Sequence, residues 1–122
     1  MTMNKYHAEH TWVRIEGDTA LVGITQHAQD TLGDIVFVDF APVGTTAAQG
    51  TVAGVVESVK AAADVHMPVS VEILEHNEAL RADPSLANSD PEGAGWFYKV
   101  KLSNPAELDG LMDDAAYQAI TG

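Results

Sequence analysis

The stretch that decides the fold is Gly54-Val55-Val56-Glu57-Ser58-Val59-Lys60-Ala61-Ala62-Ala63-Asp64. It holds one of only four lysines in the chain, the others being Lys5, Lys99 and Lys101. A lysine flanked by Val59 and Ala61 makes a poor ion pair and a poor core residue. It makes a good handle for a covalently attached group. Its surroundings read in two ways. The three alanines favour a short helix over 57–64 on local propensity. The apolar runs on both sides favour two strands with Lys60 at the tip of their connection, projecting into solvent.

Outward from the lysine the pattern is mostly strand. Thr51 to Glu57 is an apolar run with Gly54 inside it. From Asp64 the residues alternate: Val65, Met67, Val69, Val71 and Ile73 face one way, and Asp64, His66, Ser70 and Glu72 the other. Ile35 to Phe40 is β-branched and aromatic, hence a strand ended by Pro42 and Gly44. His10 to Ile24 reads as a hairpin about a Gly17-Asp18 turn. Thr25 is placed to cap a short helix through Ala28 and Leu32, with Gly33 as its stop. Trp96 to Leu102 alternates, with Lys99 and Lys101 on the face of Phe97. Glu78 to Glu92 reads as a helical turn followed by a surface loop. Asn104-Pro105-Ala106-Glu107 carries a cap, a first-turn proline and a Glu at the third position, so it predicts a capped helix. Asp113 is placed to cap a last helix using Ala116, Tyr117 and Ile120. Many short strands with few helices predict a β-sandwich or barrel with helical additions, folded as a single domain over residues 1–122.

Composition narrows the function. The net charge is −12, from 18 acidic and 6 basic residues. Phosphate backbones need Lys and Arg density, so no nucleic-acid partner is expected. No run approaches the length of a membrane span, and the first residues show no signal or transit pattern. A cytoplasmic protein is expected. There is no cysteine, which removes disulfides, thiolate metal sites and cysteine nucleophiles. The five histidines lack tight ligand spacing beyond His7 and His10, so no metal site is expected. Trp12 and Trp96 read as core or edge aromatics. No nucleophile–base or paired-carboxylate arrangement stands out, so the chain reads as a carrier and not an enzyme.

Several blocks in order resemble the H proteins of the glycine cleavage system. They run from Tyr6 through Trp12-Val13, Val22-Gly23-Ile24-Thr25, Ala28-Gln29 and Leu32-Gly33-Asp34-Ile35-Val36. They continue through Glu57-Ser58-Val59-Lys60-Ala61 with Asp64, then Pro68-Val69-Ser70, Asn77-Glu78-Ala79-Leu80, Asn88, Asp90-Pro91 and Gly95-Trp96. Biotin carriers hold their lysine between two methionines, and dehydrogenase lipoyl domains have an aspartate before it. Val59, Ala61 and the C-terminal helix point instead to the H proteins.

The resemblance settles residues 57–64 as strand, turn, strand. It implies a mainly β lipoyl/biotinyl-type barrel-sandwich hybrid: two antiparallel sheets with short peripheral helices and a C-terminal helix. It implies lipoic acid in amide linkage to Lys60, within the block Glu57, Ser58, Val59 and Ala61. The implied partners are a PLP-dependent glycine decarboxylase, a tetrahydrofolate-dependent aminomethyltransferase, a flavin-dependent dihydrolipoyl dehydrogenase, and a lipoate ligase or lipoyl/octanoyl transferase. The arm would take an aminomethyl group from the first to the second and be reoxidised by the third. A monomer is expected, because the sequence shows no extended apolar seam. Lacking thiols, the chain could not exchange with a carried dithiol.

The resemblance also places Asp64 near the loaded arm, where a carboxylate would attract a cationic amine; an Asp ending a hairpin turn reads equally well. It gives Glu57 to recognition by the lipoylating enzyme, beside the plainer reading of a solvated strand residue. The chain departs from the family at Thr11, where Glu is common, and at Thr31, where a larger polar residue is. Both fall where the loaded arm is expected to rest. Val71 stands where glycine is usual and is expected to be ordinary extended backbone. His66 and His76 replace residues more often aromatic or aliphatic. Two other readings stay open: relay of lipoyl groups to other lipoyl proteins, and an acidic interaction module without lipoyl.

Overall fold

The computed structural model describes residues 4–7, 9–17 and 19–121. Its strands are β1 (Asn4–His7), β2 (Thr11–Glu16), β3 (Thr19–Ile24), β4 (Ile35–Phe40), β5 (Thr46–Ala47), β6 (Val52–Ser58), β7 (Ala62–His66), β8 (Val71–His76) and β9 (Tyr98–Leu102). The helices are α1 (Gln26–Leu32), α2 (Glu78–Ala82), α3 (Leu86–Ser89) and α4 (Asp114–Thr121), with a 3-10 turn at Pro105–Gly110. A six-stranded sheet has the order β1-β2-β3-β9-β8-β5, and a three-stranded sheet the order β4-β6-β7. Every pairing is antiparallel. The expected mainly β architecture of two antiparallel sheets is present.

The inward residues of both sheets form one core. Val13, Val22, Val56, Val65, Met67, Val69, Val71, Ile73 and Val100 are all essentially covered. Tyr98 fastens the sheets together. It belongs to the larger sheet, but its hydroxyl donates to the Ala53 carbonyl of β6 and accepts from the Ala41 amide just after β4. Burial pushes its phenol up to about 12.

Local chemistry explains the short elements. Thr25 Oγ1 accepts from Ala28 N at 3.2 Å and starts α1. Gly33 ends it at φ +81°, a conformation L side chains resist. The hairpin over 10–24 forms, although Asp18 of its turn lies outside the described residues. Val71 is absent from the positive-φ residues, as expected of extended backbone; among the described non-glycine residues only His10 has that conformation.

Five expectations are corrected. The alternation from Asp64 to Ile73 is not one strand: β7 lies in the small sheet and β8 in the large one, and Met67–Ser70 crosses between them. All five inward residues stay buried because both strands face the same core. Phe97 does not share the solvent face of Lys99 and Lys101. It precedes the first residue of β9, escapes that strand's parity, and packs edge-on to Phe40 with ring centroids 5.9 Å apart. The loop expected after Glu78 contains a second helix, α3, with Ala87 buried. At Asn104 the cap is not made. The segment is a 3-10 turn without a side-chain cap bond, because Glu107 instead accepts from Ser70 N at 2.7 Å and Ser70 Oγ at 3.0 Å. The last helix is capped by Asp113, whose Oδ1 accepts from Ala116 N at 2.8 Å, but of its three expected apolar contacts only Tyr117 is buried.

Candidate functional site

Lys60 occupies the tip of the β6–β7 hairpin. The last pair in register is Glu57 with Ala62. Beyond it Ser58 N donates to Ala61 O at 2.8 Å. Ser58 Oγ accepts from Lys60 N at 3.2 Å and Ala61 N at 3.1 Å, and donates to Ala61 O at 3.0 Å. One hydroxyl therefore ties the Lys60 and Ala61 peptides of the tip to itself, as Ser does at turns. A helix over 57–64 would need the i to i−4 ladder that the pairing of β6 with β7 replaces.

The tip is also fixed sideways. Val59 N donates to Asp34 O at 3.1 Å. The lysine stem lies over Gly33: a Cβ there would stand 3.1 Å from Lys60 Cε and 3.5 Å from Nζ. Asn88 holds that turn from beneath. Its amide donates to Gly33 O at 2.8 Å and Gln29 Oε1 at 3.0 Å, and its Oδ1 accepts from Ile35 N at 2.8 Å. Gly33 and Asn88 thus position the lysine. Sequence reasoning gave Gly33 only a helix stop and Asn88 no role, since both contacts span long separations.

Lys60 is exposed and forms no salt bridge among the described residues. Glu57, Val59 and Ala61 are exposed with it, and Ser58 is half-buried. Glu57, Ser58, Val59, Lys60 and Ala61 therefore form one continuous tip. Asp64 lies outside it, opposite Val55, and is exposed.

A cleft of about 220 Å³ opens beside the tip, under α1. Ile24, Leu32, Val56 and Ala63 make its apolar walls, and Asp64, Thr11 and Thr31 line it too. Thr11, Thr31 and Asp64, all of which the resemblance places by the loaded arm, are brought together here. The Thr11 hydroxyl is buried and has no hydrogen-bond partner among the described residues. An apolar trough with an unsatisfied polar atom and a carboxylate suits an aliphatic chain that ends in a donor.

Two histidines that sequence reasoning left unpaired also line the cleft. His10 and His27 have ring centroids 4.7 Å apart. Burial lowers the pKa of His10, the neighbouring His27 lowers it further, and Glu9 partly offsets both. His10 Nδ1 and Thr25 Oγ1 each hydrogen-bond the Tyr117 hydroxyl at 2.7 Å. The C-terminal helix is thereby tied to the rim of the cleft. Among the described residues no three His, Asp or Glu side chains cluster as a metal site would need, and no helix is long and apolar enough to cross a membrane.

Comparison with known proteins agrees with this geometry. The family model for the glycine cleavage H-protein matches residues 4–122. A glycine cleavage system H protein of Bradyrhizobium diazoefficiens is 52% identical over 121 residues, covering 99% of each chain. One of Chromobacterium violaceum is 57% identical over 114 residues, covering 93% of this chain and 89% of its own. The crystal structure of a glycine cleavage system H protein from Mycobacterium marinum superposes with a TM-score of 0.88 at 36% identity, covering 96% of this chain and 94% of that one. Proteins of this family carry a lipoyl group on a lysine and serve the other components of the system without being catalysts themselves. The chain belongs to the glycine cleavage H-protein family, the lipoyl carriers of the glycine cleavage system.

Proposed function

We propose that Lys60 is the lysine that carries the lipoyl group, and that residues 1–122 act as one monomeric carrier domain in the cytoplasm. The observation that carries this reading is an exposed primary amine, unpaired among the described residues, on a hairpin tip whose backbone is internally tied. Among the other lysines, Lys99 pairs with Glu75 at 3.6 Å. When bound, the lipoyl group supplies a redox-active disulfide that takes up and releases the carried carbon.

The chain's own residues bind and orient. Ser58 fixes the direction in which the Lys60 stem leaves the tip, and Gly33 leaves room for that stem beside α1. Ile24, Leu32 and Val56 would cover the apolar length of an arm folded back into the cleft. Asp64 and the Thr11 hydroxyl would face a cationic amine at its end. A carboxylate near such an amine favours its charged form. Thr11, shorter than the glutamate common in the family, offers one neutral oxygen, so this carrier should hold a loaded arm more loosely.

The finer partners are those the family resemblance implies: a PLP-dependent glycine decarboxylase, a tetrahydrofolate-dependent aminomethyltransferase, dihydrolipoyl dehydrogenase, and a ligase or transferase that acylates Lys60. Tethering would hold the arm near each one at roughly millimolar effective concentration.

Incubation with lipoate, ATP and a lipoate–protein ligase, followed by intact-mass and peptide analysis, tests the assignment. One lipoyl group is expected on the Lys60 peptide of the wild type, and none on Lys60→Arg. Modification at another lysine would overturn it. A modified chain inactive with the three glycine cleavage enzymes would favour the relay of lipoyl groups instead.

A further inference from the structure

Strand β4 opens with a β-bulge. Ile35 pairs with Ser58 and Phe37 with Glu57, so β4 advances two residues while β6 advances one. In a regular strand one of two neighbours faces the core. Here Ile35 and Val38 are buried, while Val36 and Phe37 between them are 54% and 51% exposed. Bulges re-aim side chains in this way. The result is an apolar step on the outer surface of the small sheet.

Three observations tie this step to Lys60. Phe37, Glu57 and Ala62 are exposed residues in one register row, and that row is the last before the tip. Val59, at the tip itself, is 66% exposed and continues the apolar surface. The Lys60 stem leans over Gly33, two residues before β4 begins. The rim is uniformly acidic: Asp34, Asp39 and Glu57 are exposed, and none forms a salt bridge among the described residues.

We propose that Val36, Phe37 and Val59 form the docking step for the enzyme that acylates Lys60, and that this enzyme meets it with an apolar socket inside a basic rim. The proposal rests on Lys60 being the attachment site. The occupant follows from reach. Acylation happens at Nζ itself, so the acylating enzyme must close over the protein around the tip. Enzymes acting at the far end of an attached arm work from an arm's length away. An ordinary interface covers about 800 Å² on each partner, a disc of radius roughly 16 Å. Strands lie about 4.8 Å apart, so such a footprint centred on Lys60 takes in Phe37 across the neighbouring strand. Charge complementarity sets the rim: three exposed carboxylates that form no salt bridge among the described residues attract and steer a basic partner.

The test is steady-state acylation of the bare 122-residue chain by a lipoate–protein ligase with lipoate and ATP. Phe37→Ser and Val36→Ser are compared with wild type, with thermal melts confirming the fold. Loss of a central apolar anchor should lower kcat/KM about tenfold, through KM, with kcat nearly unchanged. The wild-type KM should rise with added salt as the acidic rim is screened. Acylation of both variants at the wild-type rate would overturn the proposal. So would normal acylation of Phe37→Ser accompanied by loss of a wild-type dimer, which would make the occupant a second copy. Normal acylation with slowed aminomethyl transfer would assign the step to a later enzyme and overturn it equally. Failure of the wild type to be modified at Lys60 would remove the attachment-site reading itself, a result distinct from these.

Discussion

The hairpin tip and the corner around Trp12 are built on opposite plans. At the tip, Ser58 to Ala61 are held by bonds among themselves and by one bond to Asp34. Little apolar surface is covered there. At the corner, Trp12 is wholly buried and its indole N–H donates to both Ile24 O at 2.9 Å and Pro91 O at 3.0 Å. Tyr6 stacks on Tyr117 with centroids 4.7 Å apart. The indole nitrogen thus joins β2 to the end of β3 and to the loop after α3. Stability lives in the corner and chemistry at the tip. On the proposed assignment of Lys60, the lesson is that a lysine to be modified need not be held by the core, only aimed by it.

Mutations can break this division. Trp12→Ala should cost about 3–5 kcal/mol, since it empties a large buried volume and leaves two carbonyls unpaired. Denaturant unfolding would measure it. Acylation of the fraction that remains folded should be unchanged, because Trp12 is remote from Lys60 in function. Lys60→Arg should leave the unfolding free energy within about 0.5 kcal/mol, as expected of an exposed substitution. A large loss there would mean the tip is structural.

Ser58→Ala sharpens the contrast at smaller magnitude. It removes the acceptor for two tip amides, and a cost near 1 kcal/mol or less is expected at an exposed turn. Its effect on acylation should be larger in relative terms, a several-fold fall in kcat/KM, because the direction of the lysine is lost. An unchanged rate would show that the tip needs no internal tie.

The smallest effect is in pH. His10 in the folded chain titrates below its ordinary 6.5, first because burial penalises the imidazolium and then because of His27. The unfolded chain therefore takes up this proton first as the pH falls. Stability should decline from about pH 6.5 downward and level off below the folded pKa. His7, also lowered by burial, adds to the same slope. Melting temperatures followed from about pH 8 to about pH 5 should show the decline, and His10→Gln should flatten it in part. A stability that rose on acidification would contradict the environment described for His10.

Much of this was legible in the sequence wherever local physics decides. The Thr25 cap, the Gly33 stop, the strand over 35–40 and the alternation of 64–73 all follow from rules that span a few residues. What escaped depends on partners far along the chain. Period two cannot say which sheet a strand joins, so the crossing at Met67–Ser70 was invisible. Phe97 obeys the alternation on paper and ignores it in space. Glu107 forms the sequence signature of a capping box, yet its carboxylate goes to Ser70, 37 residues away. At the site, the run from Glu57 to Ala61 was readable as one hairpin connection, but Asn88 under Gly33, the pairing of His10 with His27 and the bulge that turns Val36 and Phe37 outward exist only once distant segments meet.

The bond from the Tyr98 hydroxyl to Ala53 has a mechanical consequence. With Lys60 as the proposed attachment site, a carrier drawn toward one enzyme after another would feel tension along its arm, and that load would enter the body through β6 and β7. Tyr98 clamps β6 to the larger sheet, and β7 runs straight into β8 through the covered Met67, Pro68 and Val69. Force on that lysine would thereby reach both layers at once, through the Tyr98 bond and through the covered crossing.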